Sequence, residues 1–322
     1  MAAREATVLL QSKIEAQKQT AHPEHRTLGH AATLSTSMLA GALAGAMAKT
    51  AIAPLDRTKI NFQTSQIPYS WKAAVDFLIH SARTEGVLAL WRGNSATMAR
   101  IVPYAAIQFT AHEQWKRVLR VDTPASAKQH PIIHLVAGSL AGVTSQSATY
   151  PLDLARARMA VTNAQEYRTL TAVFVKVVST EGFSTLYRGY PATVLGVIPY
   201  AGVSFFTYDT LKHTYLEHFG TPQSTIVNVA FGGAAGALAQ SASYPLDIVR
   251  RRMQTARRRL DGSYPYSSIT NTITYVYSTE GWRGFFKGLS MNWVKGPIAV
   301  GISFATYDAV KTALRDIALR FS

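Results

Sequence analysis

Long apolar stretches alternate with shorter polar segments along this chain, and the apolar stretches carry regularly placed polar positions. Residues 34–53 form the first stretch, about twenty residues with Lys49 as the single charge, which is the length that an α-helix needs to cross a bilayer. Further spans are predicted at about 94–119, 132–159, 190–216, 225–254 and 289–315. Each has polar side chains on one face, and polar groups inside a bilayer are costly unless they face protein or water. Six such helices predict an internal aqueous cavity.

A shorter amphipathic pattern separates the two spans of each pair. The apolar residues of 71–83 recur at helical spacing from Trp71 to Ile79, which predicts a helix lying along the membrane surface. Equivalent helices are predicted near 168–180 and 267–279. The predicted fold is an all-α membrane protein with six transmembrane helices in three hairpins, so that both termini lie on one side of the membrane.

One motif, Pro-x-Asp-x-x-basic, occurs three times at intervals of roughly a hundred residues. Its copies are Pro54, Asp56 and Lys59; Pro151, Asp153 and Arg156; and Pro245, Asp247 and Arg250. Because an internal repeat decides the architecture, we divide the chain into a polar extension and three repeats with quasi-threefold symmetry. The bounds are 1–33 for the extension and 34–122, 131–218 and 224–318 for the repeats.

Glycines and prolines recur around this motif. Two glycines four residues apart precede each proline, as Gly41 and Gly45, Gly138 and Gly142, and Gly232 and Gly236. This Gly-x-x-x-Gly spacing predicts close approach of another helix backbone. An acidic-Gly step and then an aromatic-basic-Gly step follow, as Glu85-Gly86 with Trp91-Arg92-Gly93, Glu181-Gly182 with Tyr187-Arg188-Gly189, and Glu280-Gly281 with Phe286-Lys287-Gly288. Pro54 is expected to kink the end of the first span, and Pro124, Pro131 and Pro222 fall in connections between repeats.

Composition narrows the class of function. Charged residues make up 16% of the chain, and 33 Lys and Arg against 18 Asp and Glu give a net charge of +15. The basic excess suits an anionic membrane surface, and no motif for nucleic-acid binding accompanies it. Cysteine is absent, which excludes disulfides and thiolate chemistry. We find no nucleophile–base pair, metal cluster or phosphate loop, so neither an enzyme nor a metal site nor a cofactor is predicted. Residues 1–33 resemble neither a signal peptide nor a transit peptide.

The repeated acid and base predict a ring of ion pairs. With threefold symmetry, Asp56, Asp153 and Asp247 lie at one depth with the bases Lys59, Arg156 and Arg250. Acid and base three residues apart also lie on nearby faces of their own helix, but the ring allows pairing between repeats. We predict Lys59 with Asp153, Arg156 with Asp247, and Arg250 with Asp56. The alternative is a set of solvated pairs, each worth only about 0–1 kcal/mol.

The second span of each repeat carries another charged set. It comprises Glu113 and Lys116, Asp209 and Lys212, and Asp308 and Lys311. Tyr208 and Tyr307 precede two of the acids, and His112 precedes the third. The same cyclic logic predicts Glu113–Lys212, Asp209–Lys311 and Asp308–Lys116 at the opposite end of the cavity. The alternative of solvated surface pairs applies to this set as well. Two gates suit a carrier better than a channel, because a bound substrate can favour one closed arrangement over the other.

The predicted substrate site lies between these rings, where equivalent positions differ. Thirteen residues before the acids of the second ring stand Arg100, Gly196 and Lys295. An asymmetric ligand breaks the symmetry at its contacts, and Arg100, Lys295 and Lys49 supply cations suited to phosphate. The site is completed by Thr97, Thr193 and Asn292 on the same face, and by Val197 and Tyr200 beside Gly196 as a surface for an aromatic base. This predicts a multiply anionic ligand with an aromatic ring, such as a nucleotide; the alternative is that the cations contact lipid headgroups or helix ends.

The repeated motifs resemble those of the mitochondrial carrier family over roughly residues 34–318. The resemblance implies the inner mitochondrial membrane, alternating access, and both termini toward the intermembrane space. It assigns the Asp56 ring to a matrix gate and the Glu113 ring to a cytoplasmic gate. It also implies that Gln63 and Gln254 brace matrix ion pairs, whereas Ala160 replaces the glutamine in the second repeat. We expect a monomer that contacts membrane lipid such as cardiolipin, and no nucleic acid.

Several runs, such as WRGNSATMARIVPYAAIQF and KGLSMNWVKGPIAVGISF, resemble the members of this family that transport coenzyme A. That resemblance implies exchange of coenzyme A, and of dephospho-coenzyme A, with adenosine 3′,5′-diphosphate or adenine nucleotides such as ADP, all as transported substrates rather than cofactors. A general carrier of ADP, ATP and AMP is the alternative. Two departures are His112 in place of an aromatic residue and Pro297, which is displaced by one position relative to Pro103 and Pro199.

Overall fold

The computed structural model describes residues 30–123, 130–163, 165–221, 223–259 and 262–321. Within these ranges the chain forms nine α-helices and no β-strand. The long helices are α1 (His30–Thr64), α3 (Asn94–Val118), α4 (Pro131–Ala160), α6 (Tyr190–Phe219), α7 (Thr225–Thr255) and α9 (Leu289–Phe321). The short helices are α2 (Trp71–Glu85), α5 (Leu170–Glu181) and α8 (Ile269–Glu280). The predicted extension 1–33 lies outside the described residues except for 30–33, as do Pro124 and Pro222.

The order long, short, long repeats three times, which confirms the predicted all-α fold of six long and three short helices. The largest difference from the predicted bounds is at the end of the first span. Helix α1 does not end at Pro54 but continues to Thr64, and α4 and α7 also contain their motif prolines. A proline removes only one backbone hydrogen bond, and packing of the following residues maintains the helix beyond it.

The ends of the short helices follow from local chemistry. Ser70, Thr169 and Ser268 each cap a helix start by accepting a hydrogen bond from a backbone N–H three residues ahead, as good N-cap residues do. Each helix ends at the acid of the acidic-Gly step. Gly182 then takes φ 93°, a conformation that glycine adopts without strain. A short 3₁₀ turn follows in each repeat, at Val87–Trp91, Phe183–Tyr187 and Trp282–Phe286.

The glycine of the aromatic-basic-Gly step begins the second long helix of each repeat where the next repeat approaches closely. A Cβ atom on Gly93 would lie 2.9 Å from the Arg156 carbonyl oxygen, and one on Gly189 would lie 2.9 Å from the Arg250 carbonyl oxygen. Both glycines also have positive φ, 86° and 81°. These two positions therefore require glycine for conformation and for space.

The described chain divides into two units. Residues 45–303 form the larger, and the smaller comprises residues 30–44 of α1 with 304–321 of α9. In the larger unit α3 packs against α4, and α6 packs against α7. Small residues four apart are buried in the odd helices, namely Ala137, Ala141 and Ser145 in α4 and Ala235, Ala239 and Ser243 in α7.

The predicted role of the paired glycines is wrong in the larger unit. A Cβ atom at Gly45, Gly138, Gly142, Gly232 or Gly236 would meet nothing within 4 Å. In α4 and α7 the buried small residues are the alanines and serines one position away. The Gly-x-x-x-Gly spacing alone cannot distinguish the buried face from its neighbour, since adjacent residues on a helix differ by only about 100°.

Two helical stretches among the described residues are long and apolar enough to cross a membrane by composition alone. They are Thr36–Thr64, with mean hydropathy 1.4, and Phe183–Phe219, with mean hydropathy 1.2. The other long helices also expose large apolar side chains, such as Val102 and Phe109 on α3 and Ile226 on α7. Exposed apolar surface of this extent is typical of contact with a membrane.

Candidate substrate cavity and ion-pair ring

Two buried carboxylates, Asp56 and Asp153, and the half-buried Asp247 come together with bases from α1, α4 and α7. Lys59 Nζ lies 3.0 Å from Asp247 Oδ2, and Arg250 Nη2 lies 2.6 Å from Asp153 Oδ2. Arg156 Nη2 pairs with Asp56. All six predicted members of the first ring therefore take part in ion pairs between repeats, and the alternative of solvated pairs is wrong.

The direction of pairing is the reverse of the prediction. Lys59–Asp153, Arg156–Asp247 and Arg250–Asp56 are not formed among these residues; each base instead binds the acid of its other neighbour. The spacing along the chain is the same for either direction around a threefold ring. Which neighbour a side chain reaches depends on the handedness with which the repeats are arranged, and only the tertiary structure decides it.

Two glutamines donate to the ring carboxylates. Gln63 Nε2 lies 2.9 Å from Asp247 Oδ2, and Gln254 Nε2 lies 2.8 Å from Asp153 Oδ2. Both glutamine side chains are buried, where a satisfied hydrogen bond to a charged group is strong. The Asp56–Arg156 pair has Ala160 at the equivalent position and so lacks this brace.

Two predicted substrate cations bind the same ring. Arg100 Nη1 lies 3.2 Å from Asp153 Oδ1, and Lys295 Nζ lies 2.7 Å from Asp56 Oδ1. Lys295 thus reaches its carboxylate as Arg100 does, although Pro297 is displaced by one position. The third equivalent position is Gly196, so Asp247 receives no cation from α6. The residues chosen for ligand binding are, in this conformation, additional partners of the ring acids.

A cavity of about 730 Å³ lies beside the ring between α4, α6 and α7, with Tyr104 of α3 in its wall. Four predicted site residues line it: Thr193, Gly196, Val197 and Tyr200. Its size falls within the range of about 300–1,000 Å³ common for small-molecule sites. The predicted surface for an aromatic base is therefore part of the wall of a cavity.

The other predicted site residues lie outside this cavity's wall. Lys49 and Thr97 line a narrow cleft beside Asp56 and Arg156. Asn292 has its Oδ1 atom buried without a hydrogen-bond partner in the described structure. The predicted set is thus divided between a cationic group near Asp56 and Asp153 and a largely neutral cavity near Asp247.

The second ring is not closed within the larger unit. Among residues 45–303 no ion pair joins Glu113 to Lys212. Glu113 instead lies 4.0 Å from Lys116 of its own helix, and Asp209 lies 3.6 Å from His213. The side chains of Glu113 and Asp209 are 65% and 52% exposed, so water solvates them. For these two acids the described conformation agrees with the alternative of solvated pairs, and the predicted Glu113–Lys212 pair is not formed. In the smaller unit, Lys311 Nζ lies 5.3 Å from the ring centroid of Tyr307, and Asp308 precedes it by one turn.

The family model described as "Mitochondrial carrier protein" matches this chain three times in succession, over residues 30–123, 127–219 and 221–318. The chain belongs to the mitochondrial carrier family. It is a membrane transporter of the mitochondrion rather than an enzyme.

Curated relatives of the carrier cover nearly its whole length. It is 55% identical over 285 residues to "Mitochondrial coenzyme A transporter SLC25A42" of Homo sapiens, which covers 88% of this chain and 89% of that protein. The protein of the same name from Danio rerio is 52% identical over 286 residues, or 88% of each chain. "Solute carrier family 25 member 16" of Homo sapiens is 40% identical over 292 residues, 85% of this chain and 87% of that protein.

The sequence reasoning missed Arg251 of the carrier. Its Nη1 atom lies 3.3 Å from Asp153 Oδ2 and 2.9 Å from Gln254 Oε1, and its Nε atom lies 4.0 Å from Asp247 Oδ1. It therefore lies between two ring carboxylates. The signal was the run of three arginines at 250–252, since the equivalent positions in the other repeats are Ile60 and Ala157.

It also missed two sets of contacts made by the downstream motifs. The acids of the acidic-Gly steps bind buried arginines, as Glu85 with Arg57, Glu181 with Arg158 and Glu280 with Arg252. The bases of the aromatic-basic-Gly steps donate to backbone carbonyls of another repeat. Arg92 bonds to Thr162 at 2.8 Å, Arg188 to Tyr266 at 2.7 Å, and Lys287 to Ser65 at 3.2 Å.

Proposed function

We propose that this carrier exchanges coenzyme A, with dephospho-coenzyme A as a related substrate, for adenosine 3′,5′-diphosphate or adenine nucleotides across the inner mitochondrial membrane. The observation that carries the proposal is the 55% identity, over 88% of the chain, to a relative named for coenzyme A transport. The protein is proposed to act as a monomer in contact with membrane lipid such as cardiolipin, because one chain already supplies all three repeats.

The contacts of Arg100 and Lys295 support binding of a multiply anionic substrate. Both cations bind ring carboxylates, at 3.2 and 2.7 Å. Phosphate groups entering beside them would compete for the same hydrogen-bond donors. When Arg100 or Lys295 binds phosphate, its ion pair with Asp153 or Asp56 weakens. The cations are then free to bind the phosphates more strongly when the ring opens than when it is closed. A difference of that kind is what allows a ligand to shift a conformational equilibrium.

The state of the two rings supports alternating access. The first ring is closed by three ion pairs, whereas Glu113 and Asp209 of the second are exposed. The family resemblance assigns the closed ring to the matrix side, so this conformation would be open toward the intermembrane space. The same assignment directs both termini to that side.

Uptake of labelled coenzyme A into liposomes tests the substrate. The purified carrier is reconstituted into vesicles preloaded with adenosine 3′,5′-diphosphate, and vesicles without internal substrate serve as the control. We expect uptake only with the internal counter-substrate. No uptake of coenzyme A, together with robust exchange of ADP for ATP, would refute the proposal.

That outcome would favour the second candidate, a general carrier of ADP, ATP and AMP. The specific observation in its favour is that Gly196, Val197 and Tyr200 offer a surface for a base. Arg100 and Lys295 separately offer partners for phosphate groups. Those are the only features that a simple adenine nucleotide needs.

A further inference from the structure

The cavity between α4, α6 and α7 has almost no charge available to a ligand. Its lining includes the charged residues Asp247 and Arg250, together with His134. Asp247 is held by Lys59 and Gln63, and Arg250 is held by Asp153. Phosphate groups bind where cations converge, which in this protein is near Arg100 and Lys295. The cavity therefore suits an uncharged part of the ligand.

The cavity borders the ring where the threefold pattern of cations is broken. Arg100 and Lys295 cover Asp153 and Asp56, but Gly196 leaves Asp247 without an equivalent partner. The Asp247 side chain is 15% exposed, compared with 2% for Asp153. A Cβ atom on Gly196 would lie 3.7 Å from Leu246 Cβ, in ordinary van der Waals contact. A longer side chain, such as the arginine or lysine of the other two repeats, would extend further into the cavity, so glycine keeps this end of it open.

Helix α4 forms another wall of the cavity, and its glycines leave empty space beside the helix. Gly138, Gly142 and Gln146 line the cavity at four-residue intervals, which places them on one helix face over about 12 Å. A Cβ atom on either glycine would meet nothing within 4 Å. Ser139, Ser204 and Gln240 add hydrogen-bonding groups along the same cavity. The cavity is therefore long, has neutral polar groups along its walls, and contains unfilled space.

We propose that the α4 side of this cavity, lined by Gly138, Gly142 and Gln146, seats the uncharged, amide-bearing arm of the substrate. The base then rests on the α6 side, at Gly196 and Val197, and the phosphates lie toward Arg100 and Lys295. The inference rests on the proposed function, since that arm is the part of coenzyme A that adenine nucleotides lack. Serine hydroxyls and glutamine amides match the donors and acceptors of such a chain. Gly138 and Gly142 are then specificity-determining residues, because a side chain at either position would fill the space that the arm occupies.

The substitution Gly138→Leu tests binding of the amide-bearing arm separately from binding of the nucleotide part of the substrate. The added side chain points into open space, so the helix itself tolerates it. We expect coenzyme A uptake to fall roughly tenfold, as overpacking a binding space does, while homo-exchange of adenosine 3′,5′-diphosphate stays within about twofold of wild type. Gly232→Leu is the matched control. Gly232 occupies the equivalent position in α7, has the same open space and does not line the cavity, so both activities should stay near wild type.

Protection against thermal unfolding gives a measurement that does not require the transport cycle. Coenzyme A should raise the unfolding temperature of the Gly138→Leu protein less than that of wild type, whereas adenosine 3′,5′-diphosphate should protect both equally. Three outcomes would overturn this inference and leave the proposed function standing. They are an equal loss of transport of both substrates in Gly138→Leu, the same loss of coenzyme A transport in Gly232→Leu, and unchanged coenzyme A uptake by Gly138→Leu. A wild-type protein that takes up no coenzyme A would overturn the proposed function and this inference with it.

Discussion

At the scale of single residues, the equivalent positions of the three repeats, Arg100, Gly196 and Lys295, make different contacts. Arg100 and Lys295 bind ring carboxylates in the described conformation, and Gly196 lines the cavity. The remaining partners of the carboxylates differ. Asp153 keeps Arg250, Arg251 and Gln254 when Arg100 is removed. Asp56 keeps one ion-pair partner among the described residues, Arg156, when Lys295 is removed. The two cations therefore contribute unequally to the closed ring.

We expect Arg100→Ala and Lys295→Ala each to reduce exchange by at least about tenfold, because loss of one charged partner costs roughly 2–5 kcal/mol in a buried pair. Both proteins should fold. Lys295→Ala should lower the unfolding temperature more, since Asp56 has fewer other partners. Liposome uptake and thermal unfolding of the purified proteins measure the two effects. Normal transport by both variants would remove these residues from the substrate site.

At the scale of helices and their connections, the repeated glycines have separate roles. Gly182 ends a short helix with nothing close to its Cβ position, whereas Gly189 begins α6 against the Arg250 carbonyl oxygen. Both have positive φ. The aromatic-basic-Gly step therefore marks a contact between repeats as well as a turn, and Arg188 strengthens that contact through Tyr266.

Gly189→Ala should destabilise the protein more than Gly182→Ala does. The alanine at Gly189 is expected to cost about 1–2 kcal/mol for its left-handed backbone, φ 81° and ψ 0°. The alanine at Gly182, where φ is 93° and ψ is 161°, is expected to cost about 1–3 kcal/mol. Only the one at Gly189 adds a contact of 2.9 Å with the Arg250 carbonyl oxygen, and such overpacking costs roughly 1–3 kcal/mol more. Thermal unfolding of the two purified variants measures the difference. Equal unfolding temperatures would mean that the two repeats can move apart at this contact without cost.

At the scale of the whole molecule, the handedness of the repeats decides which ion pairs form. Each base of the first ring binds a carboxylate of one neighbour and not of the other. Within the larger unit the acids of the second ring make no ion pair to another repeat. The gating proposal depends on this difference, because a carrier open at both ends would leak and a carrier closed at both ends would admit no substrate.

Exchanging the charges of one pair tests this arrangement. Lys59→Asp and Asp247→Lys should each reduce exchange, because each leaves a buried charge without its partner. The double variant should recover part of the activity. The double variant Lys59→Asp with Asp153→Lys is the control and should recover none, since these residues do not pair. Recovery in the control but not in the test pair would mean that the opposite direction of pairing operates in the membrane.

The sequence by itself determined the repeat, the helices and the kinds of residue at the two rings. Periodicity and composition can be taken directly from neighbouring positions along the chain. The same motif occurs three times, from Pro54, Pro151 and Pro245, so each copy supports the prediction made from the others. The unequal residues Arg100, Gly196 and Lys295 were also visible in the sequence. The family resemblance added the bracing glutamines.

Only the tertiary structure decided the partners. It reversed the predicted pairing around the ring, joined Arg100 and Lys295 to the carboxylates, and added Arg251 to the network. It also separated the neutral cavity from the cationic group and placed the glycines of α4 in its wall. These facts depend on which helix faces meet and with which hand. Residue spacing is the same for both hands of a threefold ring, so no pattern along the chain contains that information.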